Sequence, residues 1–328
     1  MRIAIQLAAL WLGLLTASAQ AVVARLDRLP LYGTEYVRLE DWVRFSGYAL
    51  RWVVPKEEVR VSVPRGTLQF VVDSRKMSLK GVNVWLGAPI AYRNGSLCVA
   101  AADLTQTILP LLSPMRNPPG KTIRTIVLDP GHGGKDPGNQ ESRRQEKQYT
   151  LLFARELADL LKKAGFRVSL TRNSDTFVDL ADRPEIARRK QADLFLSLHF
   201  NSADSAGASA VQGAEVYCMT PARSSSTNAR GEGAQTGAYP GNRFDTKNVL
   251  LAYQLQTALN TRAGSEDRGV KRARFAVLRA AEMPAVLIEA AFMTHPGDSR
   301  RIYEPAQRRA LAQAILDGVL AYKSIVQR

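Results

Sequence analysis

The chain has 328 residues, of which 45% are hydrophobic, enough apolar material for two packed domains of a globular protein. Lys and Arg outnumber Asp and Glu to a net charge of +15 spread along the chain, which favours polyanionic surroundings. Nucleic acid is set aside as the partner, because no nucleic-acid-reading motif is recognisable and the N-terminus reads as an export signal; an anionic cell envelope fits better. The two cysteines, Cys98 and Cys218, lie far apart and provide no disulfide framework.

The first residues carry Arg2, an apolar run from Ile3 to Leu15, and the small-x-small site Ala17-Ser18-Ala19, the pattern of a signal peptide over residues 1–19. The apolar run is short for a bilayer span, and no later segment approaches the roughly 20 apolar residues of a membrane helix. The expected location is therefore the periplasm or cell envelope, with no stable membrane span after signal cleavage.

Over residues 20–112, short runs such as Val59 to Val63, Leu68 to Val72 and Val82 to Leu86 alternate with Gly, Pro, Asn and charged residues, predicting a small β-rich domain. Ser113 to Gly120 reads SPMRNPPG, so a linker is placed at 113–121 and a second domain at 122–328. From Thr122 strands and helices alternate: TIVLD, a helix from Glu146 to Ala164, FRVSLT, a helix near Arg183 to Lys190, and DLFLSLHF. The pattern predicts an α/β domain with a mostly parallel or mixed central sheet flanked by helices. A strand at Ala214 to Tyr217 leads into a Ser/Gly-rich stretch, Cys218 to Asn248, expected as a long loop near the active face or a flexible insertion. A helix over Val249 to Ala258, strands at Phe275 to Leu278 and Ala285 to Ile288, and an amphipathic helix from Pro305 to Tyr322 complete the chain.

Of the three histidines, His132 lies in the turn Pro130-Gly131-His132-Gly133-Gly134 and His199 closes the run Leu194 to Leu198. Both stand at carboxyl ends of predicted strands, where open α/β sheets place ligands. Glu146 extends the apolar stripe Tyr149, Phe153, Leu157, Leu160 and Ala164 by one turn, so its carboxylate points inward. Glu289 interrupts the apolar run Val286 to Phe292, a costly place for a charge unless something compensates it. Two histidines and a glutamate form a ligand set of catalytic zinc sites that leave one position for water, and a further glutamate can then act as base. Each residue also has a plainer reading: His132 shaping a turn, His199 a satisfied core histidine, Glu146 a helix-start carboxylate, Glu289 half of a buried ion pair. His295 reads as a turn residue before a helix, and GHGGKDPG lacks the spacing of a phosphate loop. Arg172, Lys271 and Arg279 lie near these motifs and either meet substrate carboxylates or are exposed solubilising charges.

The segments TIVLDPGHGGKDPGN, EKQYTLLFARELADLLKKAGFRVSLTR, ADLFLSLHFNS and RFAVLRAAEMPAVLIEAAFMTHPGD, in this order, resemble the zinc-dependent N-acetylmuramoyl-L-alanine amidases of the amidase 3 type. The resemblance covers Thr122 to Tyr322. It implies one zinc ion per catalytic domain held by His132, Glu146 and His199, with Glu289 as the catalytic glutamate. It also implies peptidoglycan as substrate, cut between N-acetylmuramic acid and the L-alanine of the stem peptide. Some relatives carry, near Cys218 to Asn248, a helix that blocks the zinc until a partner moves it; this stretch shows no convincing amphipathic helix, and a protein activator stays an open partner. The N-terminal segment resembles the copper amine oxidase N-terminal-like domain but has no histidine, so copper is not implied. The alternatives are a zinc peptidase acting within the stem peptide and an inactive wall-binding protein.

Overall fold

The computed structural model describes residues 21–203, 207–227 and 237–327, so the expected signal peptide lies outside the described residues. The chain forms two compact units, one ending at Met115 and the other starting at Arg116. Among the described residues no helix is long and apolar enough to cross a membrane.

The first unit contains β1 (Leu29–Leu31), β2 (Thr34–Arg38), α1 (Leu39–Phe45), β3 (Ala49–Val54), β4 (Glu58–Val63), β5 (Gly66–Val71), β6 (Lys76–Leu79), β7 (Val82–Trp85), β8 (Ala91–Arg93) and β9 (Ser96–Ala100). Strands β3 to β7 pair successively as an antiparallel meander, and β1, β2, β9 and β8 form a second antiparallel sheet. Along β4, Val59, Val61 and Val63 turn inward while Arg60 and Ser62 do not, the period of two of a sheet with one buried face. At the β8–β9 turn Asn94 and Gly95 take φ of 50° and 80°. Positive φ at both central residues is the type I′ hairpin turn, whose twist suits paired strands.

The second unit contains β10 (Thr125–Pro130), the hairpin β11 (Gln140–Glu141) and β12 (Arg144–Gln145), α2 (Glu146–Lys163), β13 (Arg167–Leu170), α3 (Asp182–Arg189), β14 (Leu194–Asn201), β15 (Ala214–Met219), α4 (Asp245–Arg262), β16 (Asp267–Ala273), α5 (Ala276–Arg279), β17 (Ala285–Phe292), α6 (Pro296–Tyr303) and α7 (Pro305–Val326). Its strands run in the order β13-β10-β14-β17-β15-β16. The first four are parallel, β15 is antiparallel to β17, and β16 is parallel to β15. The α/β class and the mixed sheet agree with the expectation. Helices α2, α4 and α7 pack on one face, and α3 and α5 close the other around Val127, Phe195, Tyr217 and Leu287. Every residue of β10 is buried, as a parallel strand covered on both faces requires.

Three local expectations are corrected. The segment Phe275 to Leu278 is not a strand: Ala276–Arg279 is α5, and the strand lies earlier, at Asp267–Ala273. Lys271 and Arg272 are buried in β16, so a strand core that carries charge hides its apolar alternation. On α2 the buried stripe runs through Glu146, Thr150, Phe153, Ala154, Leu157, Ala158 and Leu161, whereas Ala164 is exposed; Glu146 keeps its place on it. The long loop after β15 does not start at the active face. Because β15 runs against β17, Cys218 pairs with Val286 near the start of β17. The described far flank returns to that end, with Asn248 Oδ1 accepting from the Ala285 amide at 2.9 Å. The middle of the loop, residues 228–236, lies outside the described residues. Cys98 and Cys218 are both free and buried, and they belong to separate units.

Candidate metal centre

Parallel strands deliver their last residues to one end of the sheet, and three of the expected site residues arrive there by this route. His132 follows β10, while His199 on β14 and Glu289 on β17 are register partners. Glu146 comes from the first turn of α2, whose amino end faces the same place. His132, Glu146 and His199 each offer a ligand atom, and these atoms lie within 4.8 Å of one another.

Glycines make the approach possible. A Cβ on Gly131 would stand 2.3 Å from His199 Cε1, and one on Gly138 would stand 2.6 Å from His132 Cδ2 and 2.7 Å from Glu146 Oε2. We therefore expect Gly131→Ala to displace the His199 ring and, if the cluster holds a divalent metal, to weaken that binding by about tenfold or more. Titration against a chromophoric chelator measures this, and unchanged affinity would show that the close approach does not matter.

The carboxylate of Glu146 is buried and fixed from both sides. Its Oε1 accepts from the Phe200 amide at 3.0 Å and lies 3.0 Å from His199 Nδ1. Its Oε2 accepts from the Asn139 amide and from Asn139 Nδ2, each at 2.9 Å, and lies 3.1 Å from His132 Nε2. Burial alone raises the Glu146 carboxyl, but hydrogen bonds from His132 and His199 and their charge hold it well below the usual carboxylate range. Asn139 is itself set by Phe200 O and by the Ser202 hydroxyl, at 2.9 and 2.8 Å. His132 turns Nδ1 to Asp136 Oδ2 at 2.8 Å, leaving Nε2 for the centre. A carboxylate on the far nitrogen is how metal-binding histidines are oriented.

The donors suit a small tetrahedral ion. Two ligands at about 2.0–2.1 Å from one such ion stand roughly 3.3 Å apart; His132 Nε2 lies 3.1 Å from Oε2 of Glu146 and His199 Nδ1 lies 3.0 Å from Oε1, so each histidine meets its own carboxylate oxygen on that scale. A set of two histidines and one carboxylate leaves a fourth position for water or substrate.

Glu289 differs from the other three. Its Oε2 is buried with no hydrogen-bond partner among the described residues. Burial pushes its carboxyl well above the ordinary value, the negative charges of Glu146 and Glu215 add to this, and Lys271 opposes them in part. Opposite Glu289 across β15 and β17 stands Glu215, which sequence reasoning did not single out. Glu215 accepts from Asn201 Nδ2, Tyr217 OH and Arg268 Nε at 2.9, 2.8 and 2.9 Å, and pairs with Lys271.

The other charged expectations resolve differently. Lys271 is buried against Glu215, and Arg172 is buried, donating to the carbonyls of Pro130, Gly131, Lys147 and Ser174. Neither is an exposed charge. Arg279 lies over the Tyr239 ring, on α5 at the opposite end of the sheet from the histidines. His295 caps α6, its Nδ1 accepting from the amides of Gly297 and Asp298, both at 3.2 Å.

The family model described as N-acetylmuramoyl-L-alanine amidase matches residues 126–321. The probable cell wall amidase LytH of Staphylococcus saprophyticus is 36% identical over 214 residues, 64% of this chain and 62% of that protein. The N-acetylmuramoyl-L-alanine amidase AmiC of Neisseria meningitidis is 34% identical over 260 residues, 71% of this chain and 61% of that protein. The chain thus spans about three fifths of the length of these two relatives. Among solved structures, AmiC2 of Nostoc punctiforme aligns with a TM-score of 0.51 at 32% identity, covering 62% of this chain and 98% of that one. The amidase of Clostridium difficile 630 aligns with a TM-score of 0.50 at 31% identity, covering 62% and 97%. With the matched region enclosing all four site residues and the whole sheet from Ile126 onward, the chain belongs to the N-acetylmuramoyl-L-alanine amidase family.

Proposed function

We propose that this protein hydrolyses the amide bond between N-acetylmuramic acid and the L-alanine of the stem peptide in peptidoglycan. One zinc ion is held by His132, Glu146 and His199, and Glu289 is the general base. The observation that carries the reading is the unpartnered, buried Oε2 of Glu289, on the strand next to His199, in register with it, and near enough to Glu146 to feel its charge. A buried carboxylate oxygen without a donor is costly in a folded protein and is retained where it meets a substrate or water.

When bound, zinc supplies a Lewis acid that polarises the amide carbonyl and lowers the pKa of water toward neutrality. Glu289 accepts the proton of the attacking water and delivers it to the departing nitrogen of L-alanine, so water is divided between the lactyl carboxyl and the free amine. Asn139 and Phe200 hold the Glu146 carboxylate in place through this exchange, and Asp136 holds the tautomer of His132. The net charge of +15 suits an anionic wall. Action outside the cytoplasm, after removal of residues 1–19, belongs to the same proposal.

Metal removal tests it. Protein stripped by a chelator is expected to release no stem peptide from purified sacculi, and about one equivalent of zinc is expected to restore release. Release that survives stripping, with metal absent by elemental analysis, would overturn the zinc role.

A further inference from the structure

The turn that carries His132 is held by groups that the proposed reaction does not use. His132 has φ of 62°, a left-handed conformation that is strained for a residue with a Cβ and persists only where its surroundings enforce it. The three consecutive carbonyls of Pro130, Gly131 and His132 all turn onto two buried arginines. Arg172 donates to Pro130 O and Gly131 O at 3.0 and 2.8 Å. Arg183, reaching in from α3, donates from Nη1 to Pro130 O and from Nη2 to His132 O, both at 3.1 Å, and from Nε to Val178 O at 3.0 Å. Arg183 Nη1 also pairs with Asp129 Oδ1 at 2.9 Å, and the two side chains are 2% and 0% exposed. Asp129 is completed by the hydroxyls of Thr171 and Ser197, at 2.7 and 2.8 Å.

A buried ion pair of this kind is weak support for stability, since apolar side chains of similar size serve a core as well or better. What it provides that an apolar pair does not is geometry: the planar fork of arginine fixes several acceptors at once, and lysine cannot reproduce it. We infer that Arg183, with Asp129 as its counter-charge, is a positioning residue for His132. Its fork enforces the left-handed turn that aims the imidazole at Glu146 and His199. The inference rests on the metal reading of those three residues, and its test separates the two.

The full chain is prepared as wild type, His132→Ala, Arg183→Lys, Asp129→Asn and Arg308→Lys. Arg308, itself buried, pairs with the partly exposed Glu156, 2.7 Å apart, between α7 and α2 and away from the histidines, so it reports what the loss of an arginine–carboxylate pair does on its own. Zinc affinity is measured by chelator competition, the cobalt-substituted absorption spectrum is recorded, and the metal-free melting temperature is followed for each. Arg183→Lys is expected to weaken zinc binding by about 10–100-fold and to alter the cobalt spectrum. Asp129→Asn should shift both in the same direction by less. Arg308→Lys should lower the melting temperature with affinity and spectrum unchanged. Wild-type affinity and spectrum in both Arg183→Lys and Asp129→Asn would overturn the positioning role, even if both melted early. Should Arg183→Lys fail to fold, wild-type affinity and spectrum in Asp129→Asn overturns it alone. A wild type that binds no more zinc than His132→Ala would instead overturn the metal reading, and the inference with it.

Discussion

Glu289→Gln is expected to lower stem-peptide release by about 10²–10⁴-fold, the usual contribution of a positioned general base, while the protein still carries about one zinc. The two halves of this result have separate causes. The proposed metal set is complete without Glu289, because His132, Glu146 and His199 offer clustered ligand atoms by themselves. The loss of activity follows because glutamine has nearly the shape of glutamate but cannot accept the proton of water. The metal-free variant is also expected to melt higher than wild type. Burial and the neighbouring charges of Glu146 and Glu215 disfavour the Glu289 carboxylate, and a neutral side chain relieves that cost, as is common where function requires a destabilised group. Full activity in the variant would remove Glu289 from the chemistry, and loss of zinc together with activity would make it a ligand instead.

Glu215→Ala is expected to cost about 3–5 kcal/mol in unfolding free energy, the range for removing one partner of a buried ion pair. The alanine would leave Lys271, 7% exposed, without its carboxylate, while Arg268, 30% exposed, can turn to water. The dependence on pH has a definite sign. Burial raises the Glu215 carboxyl, but the Lys271 charge and the hydrogen bonds from Lys271, Arg268 and Tyr217 outweigh it and hold the group below its ordinary value. Its contribution is therefore present above the unfolded pKa of about 4.3 and is lost as the pH falls through the folded one. Urea unfolding of wild type and variant at about pH 7, and again in progressively more acid buffer, should show the gap between them closing with acid. A gap that stays constant, or is absent near neutrality, would mean that the cluster does not act as an ion pair.

The four residues proposed to act were legible for local reasons. His132 and His199 end apolar strands, Glu146 opens a helix on its buried side, and Glu289 interrupts a run that otherwise belongs to the core. The last of these signals was present twice more. Glu215 stands between Ala214 and Val216, and Asp129 closes TIVLD; both are buried and both are paired. Applied evenly, the rule that a charge within an apolar strand needs a partner would have marked them. It would not have named the partners, because Arg183 is 54 residues from Asp129 and Lys271 is 56 residues from Glu215. The same long-range pairing hid β16, whose buried Lys271 and Arg272 look like surface when read along the chain. Strand direction was a second blind spot. Alternation of strands and helices suggests parallel neighbours, and only the pairing of Glu215 with Glu289 and of Cys218 with Val286 shows that β15 runs the other way, carrying the long loop to the far end of the sheet.

Mass spectrometry of the products of purified peptidoglycan digested by the zinc-loaded protein shows which bond is cut. The expected products are stem peptides with a free L-alanine amino terminus and glycan strands whose muramic acid lactyl groups end in free carboxylates. Fragments with new amino termini inside the stem peptide would assign the same centre to a peptidase, and an undigested polymer with zinc in place would contradict the account.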